Sequence, residues 1–360
     1  MTNYRDAGVD IEKGDLASKL AYFAAKKTFV GREKKIGAAV EIDGGFSGVL
    51  DFGDFFLLQN DDGVGTKSAI ADAVGKFDTL GRDLLAMVAD DAVCCGAETI
   101  SITNTIDTEK VDEKKIEKLM NGLAAAALEQ KIIIAGGEIA ELGNLVRGFL
   151  WNATAVAIVE KEKIILGEKI LPGDKIIGLH SNIFRSNGIS LVRKILRDNF
   201  GEKKFTEKFD EKKNWGEIAL APSKIFSAAV LEMTGRFREK RICEIRGIAH
   251  ITGGGLPGNL PRILKKNGLG AKLQNLPNPH PAALELQKMG KISDREIYKT
   301  WNMGVGMALV APQNEVSKIL KIAAKNKIVA TEIGEIFPEK KIEIISRGAE
   351  KFGQKLEFKI

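Results

Sequence analysis

Clustered glycine constrains this chain more than any other feature. Five clusters stand out: GGFSG (44–48), DGVGTK (62–67), AGGE (135–138), TGGGLPG (252–258) and NMGVGM (302–307). Each marks backbone that can turn tightly or approach a ligand with no side chain in the way. Taken singly, any of them is as readily a turn. Two follow short apolar runs of strand character: DFFLLQN (54–60) leads into DGVGTK, and KIII (131–134) leads into AGGE. At 360 residues the chain exceeds what one hydrophobic core ordinarily serves, so two domains are expected.

Helical stretches lie between the strand-like runs. TLGRDLLAMVADDAVCCGAE (79–98) repeats apolar residues at helical spacing and ends at Gly96, a natural helix-terminating position. DEKKIEKLMNGLAAAALEQ (112–130) carries acids in its first turn and a long alanine face. WNATAVAIVEK (151–161) and KIIGLHS (175–181) read as strands, and the Pro172-Gly173 turn between them marks the domain boundary. This divides the chain into residues 1–168 and 169–360. In the second part, SNGISLVRKILRDNF (186–200) reads as a helix opened by Asn187, and PSKIFSAAVLEMTGRF (222–237) as another. HITGGGLPGNLPRILKK (250–266) reads as a loop feeding a helix, with Asn259 at its N-cap and Pro261 in its first turn. KIVATEIGEIF (327–337) and KKIEIIS (340–346) close the chain as strands. The fold class that follows is mixed α/β and α+β.

Charge and cysteine usage exclude several functions. The net charge of +6 comes from intermixed acids and bases, as in RDNFGEKKFTEKFDEKK (197–213), which reads as a solvated surface rather than a nucleic-acid footprint. Cys94, Cys95 and Cys243 form no C-x-x-C pair and suit a reduced, cytoplasmic protein. The polar start MTNYRDAGVD has no hydrophobic targeting core, and the longest apolar run, LAAAAL (123–128), is too short to cross a bilayer.

The acids near the glycines suggest phosphate chemistry. Asp61 and Asp62 end one strand, Glu138 ends another, and Asp90 and Asp91 lie on a helix. Carboxylates gathered from separate segments suit Mg²⁺, and the neighbouring glycines free backbone N–H groups for phosphate oxygens. Lys67 would add a point charge to a transferring phosphoryl group. The equally plain reading is that Asp62 caps a helix and the other acids are solvated. No Walker sequence and no G-x-G-x-x-G after a strand occurs, and no nucleophile triad stands out among His180, His250 and His280.

The segments YRDAGVDIEKGD (4–15), DGVGTK, TLGRDLLAM, AGGEIAEL, SNGISLVRKIL, AHITGGGLPGNLPRIL (249–264) and YKTWNMGVGM (298–307) occur in this order. Together they resemble the aminoimidazole ribonucleotide synthetase (phosphoribosylformylglycinamidine cyclo-ligase) family over nearly the whole chain. The resemblance implies a ligase of purine biosynthesis that uses ATP and Mg²⁺ to close the imidazole ring of a nucleotide substrate. It also implies an N-terminal α/β domain that dimerises through its sheets, a C-terminal α+β domain, and an active-site cleft between them. By motif match, Asp62, Asp91 and Glu138 would be the metal ligands, which chooses Asp62 over Asp61. Gly63, Gly65, Thr66 and Lys67 would line the ATP phosphates, with Gly136 and Gly137 beside them. Asn187, His250, Thr252, Gly253, Gly254 and Gly255 would face the substrate, and Lys67, Asp91 and His250 would act in catalysis. The chain departs from the family at Arg185, where a histidine is usual, and at Ile139, which replaces a threonine beside Glu138. Two alternatives stay open: another ATP-using enzyme of the same superfamily, such as a thiamine-monophosphate kinase, and a non-catalytic nucleotide-binding paralogue.

Overall fold

Two sheets, each built from its own stretch of chain, organise the computed structural model, which describes residues 4–42 and 45–360. Gly44 of the first glycine cluster lies outside the described residues. The first sheet comprises Ala38–Val40 (β1), Gly48–Asp51 (β2), Phe55–Gly63 (β3), Glu98–Thr108 (β4), Ile133–Glu141 (β5) and Phe149–Glu160 (β6), in the order β1-β2-β3-β6-β4-β5. All its pairings are antiparallel except β4 with β5. The second comprises Lys175–His180 (β7), Gly247–His250 (β8), Gly270–Leu273 (β9), Val305–Ala311 (β10), Ala330–Phe337 (β11), Lys341–Ile345 (β12) and Lys355–Lys359 (β13), in the order β13-β12-β9-β11-β7-β10-β8. Here only β12 with β9 is parallel.

The helices of the first unit are Ile11–Lys26 (α1), Lys67–Val74 (α2), Leu80–Val93 (α3) and Glu113–Gln130 (α4). Those of the second are Ile189–Phe200 (α5), Trp215–Ala219 (α6), Ser227–Thr234 (α7), Gly255–Asn259 (α8), Pro261–Leu264 (α9), Pro281–Gly290 (α10), Asp294–Thr300 (α11) and Val316–Lys325 (α12). Asp112 caps α4 by accepting the Lys115 N–H at 3.1 Å. Twelve of the fourteen residues of α3 are buried, so this helix is held between the first sheet and the second unit rather than lying on a surface.

Strand alternation sorts the acids of β3. Leu58 and Asn60 are buried toward α3, and the Asn60 amide donates to the Val88 carbonyl at 3.0 Å. With a period of two, Asp62 shares that face, whereas Asp61 points to the open face and meets Thr154 of β6.

Three local expectations are corrected. The AGGE glycines lie within β5, where Thr103, Asn104 and Thr105 pair with Gly136, Gly137 and Glu138 in parallel register. Asn187 does not open α5; Gly188, in left-handed backbone at φ 69°, precedes it, and the Asn187 side chain serves the site described below. Asn259 does not cap a helix either. It ends α8, and its amide nitrogen donates to the carbonyls of Gly253 (3.1 Å) and Gly255 (2.8 Å), tying the glycine-rich turn together.

Candidate functional site

The junction between the two units gathers the end of β3, one face of α3, the segment after β7 and the loop after β8. DGVGTK leaves β3 and turns at Gly65, whose φ of 54° favours glycine. Gly63 and Gly65 keep this turn thin, and Thr66 Oγ1 meets Ser190 Oγ of α5 at 3.1 Å. From the opposite side, the Gly253 N–H donates to Asn187 Oδ1 at 3.2 Å, and Thr252 Oγ1 bonds Asn259 at 3.4 Å. Gly254 and Gly255 continue in left-handed backbone, at φ 93° and 58°; a Cβ on Gly255 would collide with the Tyr298 carbonyl. The DGVGTK and TGGG segments therefore border one junction between the units.

Asp62, Asp91 and His250 form its polar centre. Asp91 Oδ1 lies 2.7 Å from His250 Nδ1, at the end of β8. Burial pushes the Asp91 carboxyl up to about 7 despite the opposing charges of Arg262 and Arg185. Burial, and then the charge of Asp91, push Asp62 up to about 7 as well, although the Gly63 N–H bonds its Oδ1 at 2.7 Å. His250 is fully buried and pushed down to about 3, first by burial and then by the Arg185 charge. The ring is thus neutral. With its proton on Nδ1 facing the carboxylate, Nε2 is a bare acceptor, and that atom has no hydrogen-bond partner. Two mutually repelling carboxylates beside an orphaned imidazole nitrogen are costly unless a ligand completes them.

Other acids of α3 differ. Asp90 is fully buried, but its Oδ2 takes Arg185 Nη2 at 2.6 Å, and its Oδ1 accepts the N–H groups of Phe226 (2.9 Å) and Ser227 (3.0 Å). Arg185 therefore binds a carboxylate of the protein itself. It also donates to the carbonyls of Ala86 (3.3 Å) and Gly306 (3.4 Å) and stacks on Phe226, at a strained φ of 58°. Asp83, two turns earlier, pairs with Lys67 Nζ at 2.8 Å and accepts the Ser223 N–H at 3.0 Å.

Lys67 is accordingly not a phosphate contact in this geometry. Its ammonium is fully buried, held by Asp83 and by the Ala221 carbonyl at 2.9 Å, and burial pushes its pKa below the ordinary lysine value. Glu138 is likewise not brought to the other two carboxylates. Strand β5 is separated from β3 by β6 and β4, about 14 Å at ordinary strand spacing. Glu138 pairs with Thr105, which lies opposite the exposed Asn152 on the open face, whereas Asp62 faces α3. Gly136 and Gly137 travel with Glu138, and Ile139 lies on the opposite side of the strand from it. Among the described residues, no group of three His, Cys, Asp or Glu side chains could hold a metal ion. The donor set of Asp62 and Asp91 fits Mg²⁺ as two carboxylate ligands, with its remaining positions left for water and phosphate oxygens, as this ion prefers. The clamps at Asp83 and Asp90 were missed from sequence; their spacing of seven, which sets them on one helix face, was the available signal.

Comparison with known proteins places this geometry. Residues 44–159 match the N-terminal domain and residues 172–347 the C-terminal domain of AIR synthase related proteins. The chain belongs to the AIR synthase related family. The phosphoribosylformylglycinamidine cyclo-ligase of Methanocaldococcus jannaschii is 36% identical over 358 residues, covering 99% of each chain. That of Pyrococcus furiosus is 40% identical over 322 residues, covering 89% of this chain and 91% of that protein. Among solved structures, the hydrogenase maturation protein HypE in complex with ATP overlays with a TM-score of 0.62 at 13% identity, covering 86% of this chain and 87% of that one. PurL of T. maritima complexed with FGAR overlays with a TM-score of 0.54 at 17% identity, covering 93% of this chain and 50% of that one. At such identities these two likenesses speak to the fold alone.

Proposed function

We infer that this chain is an ATP-dependent ligase, a phosphoribosylformylglycinamidine cyclo-ligase, closing the imidazole ring of formylglycinamidine ribonucleotide to give aminoimidazole ribonucleotide, ADP and phosphate. Whole-length identity of 36–40% to curated cyclo-ligases carries this reading. The chemistry needs a formamide oxygen made into a leaving group. That oxygen attacks the γ-phosphorus, ADP departs, and an imidate phosphate remains. An amidine nitrogen then attacks the same carbon, the C–O bond breaks, phosphate leaves, and loss of a proton gives the aromatic ring.

The residues of the junction fit these steps. Asp62 and Asp91 would hold Mg²⁺, which when bound supplies charge neutralisation at the phosphoryl oxygens. The thin turn of Gly63 to Thr66 lets backbone approach the triphosphate. His250 is too acidic when protonated to take a proton near neutrality, so its Nε2 acts as an acceptor that orients an N–H of the substrate toward the reacting carbon. Asn187, Thr252 and the following glycines form the wall against which the substrate folds, turning ring closure into an intramolecular reaction. Lys67 acts through Asp83 as a positioning residue for α2 and α3.

The open face of the first sheet, with Leu150 48% exposed and Ile133 on the edge strand 67% exposed, supports a homodimer joined there. Three free, buried cysteines suit a reducing cytoplasm, and among the described residues no helix is long and apolar enough to cross a membrane. One assay tests the function: purified protein with ATP, Mg²⁺ and formylglycinamidine ribonucleotide. Aminoimidazole ribonucleotide and ADP are expected in equal amounts; ATP binding without product would overturn the assignment.

A further inference from the structure

The opening motif YRDAGVD takes no part in the site described above, although it is one of the segments that carry the family resemblance. It docks on the second unit. The Tyr4 N–H donates to Glu296 Oε1 of α11 at 3.0 Å, and the Tyr4 hydroxyl lies against the backbone of Gly188, next to Asn187. Arg5 pairs with Asp10 at 3.0 Å, bracing the turn. Between this segment, α11 and the β12–β13 edge lies a cavity of about 890 Å³, floored by Gly254, Pro257 and Gly258 of the TGGGLPG motif. Its volume is that of a small-ligand site.

The charge of the lining is one-sided. Six lysines and arginines face three acids. Each acid is already engaged: Asp10 by Arg5, Glu296 by the Tyr4 N–H, and Glu357 by Lys355 at 2.7 Å and Lys341 at 3.7 Å. Among the described residues, Lys299, Lys340 and Lys359 pair with no carboxylate, and all three are exposed. Three ammonium groups from α11, the turn before β12 and β13 thus converge on one concavity with no acid to neutralise them. Such an arrangement attracts a compact dianion. The floor connects it to the nucleotide wall, because Gly253, beside Gly254, holds Asn187 through its N–H.

We propose that this cavity is the subsite for the phosphate monoester of the ribonucleotide substrate, with Lys299 and Lys340 as its principal cations and the YRDAGVD segment as its outer wall. The proposal rests on the cyclo-ligase reading for the identity of the ligand, but not for the existence of an anion subsite. In this arrangement the substrate's phosphate anchors outside the reacting centre, and its ribose and amidine extend past Gly254 toward Asn187 and His250. The anchor then binds ground state and transition state alike, so it lowers KM for the nucleotide without setting kcat.

The test uses the full-length protein and the double variant Lys299→Ala/Lys340→Ala, whose side chains are exposed and whose melting temperature is expected to match wild type. Titration calorimetry with ribose 5-phosphate, ribose and inorganic phosphate is paired with steady-state kinetics. Wild type should bind ribose 5-phosphate at least about tenfold more tightly than either other probe. The double variant should lose about tenfold in that affinity and raise KM for formylglycinamidine ribonucleotide by a similar factor, with kcat and KM for ATP within about twofold. Restoring charge with Lys299→Arg/Lys340→Arg should recover most of the loss. Unchanged ribose 5-phosphate affinity and KM in the alanine variant overturn the subsite while leaving the cyclo-ligase standing. Equal affinity for ribose overturns it too, and equal affinity for inorganic phosphate shows an unspecific anion patch instead. Lysine-dependent binding of ribose 5-phosphate in a protein that makes no product supports the subsite and removes the cyclo-ligase reading.

Discussion

Two pairs of aspartates bordering the domain junction have opposite surroundings. Asp83 and Asp90 are buried and paired, Asp83 by Lys67 and the Ser223 N–H, Asp90 by Arg185 and the N–H groups of Phe226 and Ser227. Asp62 and Asp91 repel each other and burial pushes both up to about 7; a neutral imidazole bonds Asp91, and the charges of Arg262 and Arg185 oppose its shift without outweighing burial. The first pair fastens the two units. The second is left electrostatically incomplete. Buried carboxylates with full sets of partners report on architecture, whereas those without report on ligands.

Removing charge from the two regions should therefore have different consequences. Asp91→Asn or Asp62→Asn is expected to give the largest effect, a fall in turnover of about 10²-fold or more. Thermal stability should be unchanged or raised, because a like-charge repulsion is removed. Equal losses of activity and stability would erase the distinction. Arg185→Met strands Asp90 in the interior and should cost about 3–5 kcal/mol of unfolding free energy in denaturant titration, with Arg185→Met/Asp90→Asn recovering part of it. A near-wild-type midpoint for the single variant would mean that Arg185 is not a clamp.

Lys67→Met sharpens the comparison further, since sequence reasoning set this residue at the phosphates and the structure sets it among the clamps. Stability should fall by about 2–4 kcal/mol, because Asp83 keeps its Ser223 partner. KM for ATP in the remaining folded enzyme should stay within about threefold; a large rise would return Lys67 to the phosphates. Asn187→Ala removes the acceptor of the Gly253 N–H and should give the smallest change, about 1–2 kcal/mol, read as a few-fold to about thirtyfold rise in KM for the nucleotide substrate. No rise would show that the Asn187–Gly253 bond does not shape the wall.

What the residues disclosed before any coordinates follows the same division. Strand-like DFFLLQN and the helix over 80–93 were legible because apolar periodicity is a local signal. Asp62, Asp91, Asn187, His250 and the TGGG turn were identifiable as candidates, and the fold sets them along one junction between the units. Which charge meets which was not legible. Lys67 next to a glycine turn looks exposed, yet α2 begins there and carries the ammonium inward to Asp83. AGGE looks like a strand ending in a loop, yet β5 continues through it because β4 supplies a pairing partner for every residue from Gly136 to Glu141. Long-range pairing and helix rotation decided both cases, and neither leaves a mark in a short window of sequence. The docking of Tyr4 on α11, some 290 residues away, is of the same kind.

The contrast between paired and incomplete carboxylates rests most directly on metal binding. Titration calorimetry with Mg²⁺ in the presence of ADP should give a saturable heat for wild type and for Lys67→Met, and none for Asp62→Asn/Asp91→Asn. Mg²⁺ affinity that survives in the double aspartate variant would contradict the account.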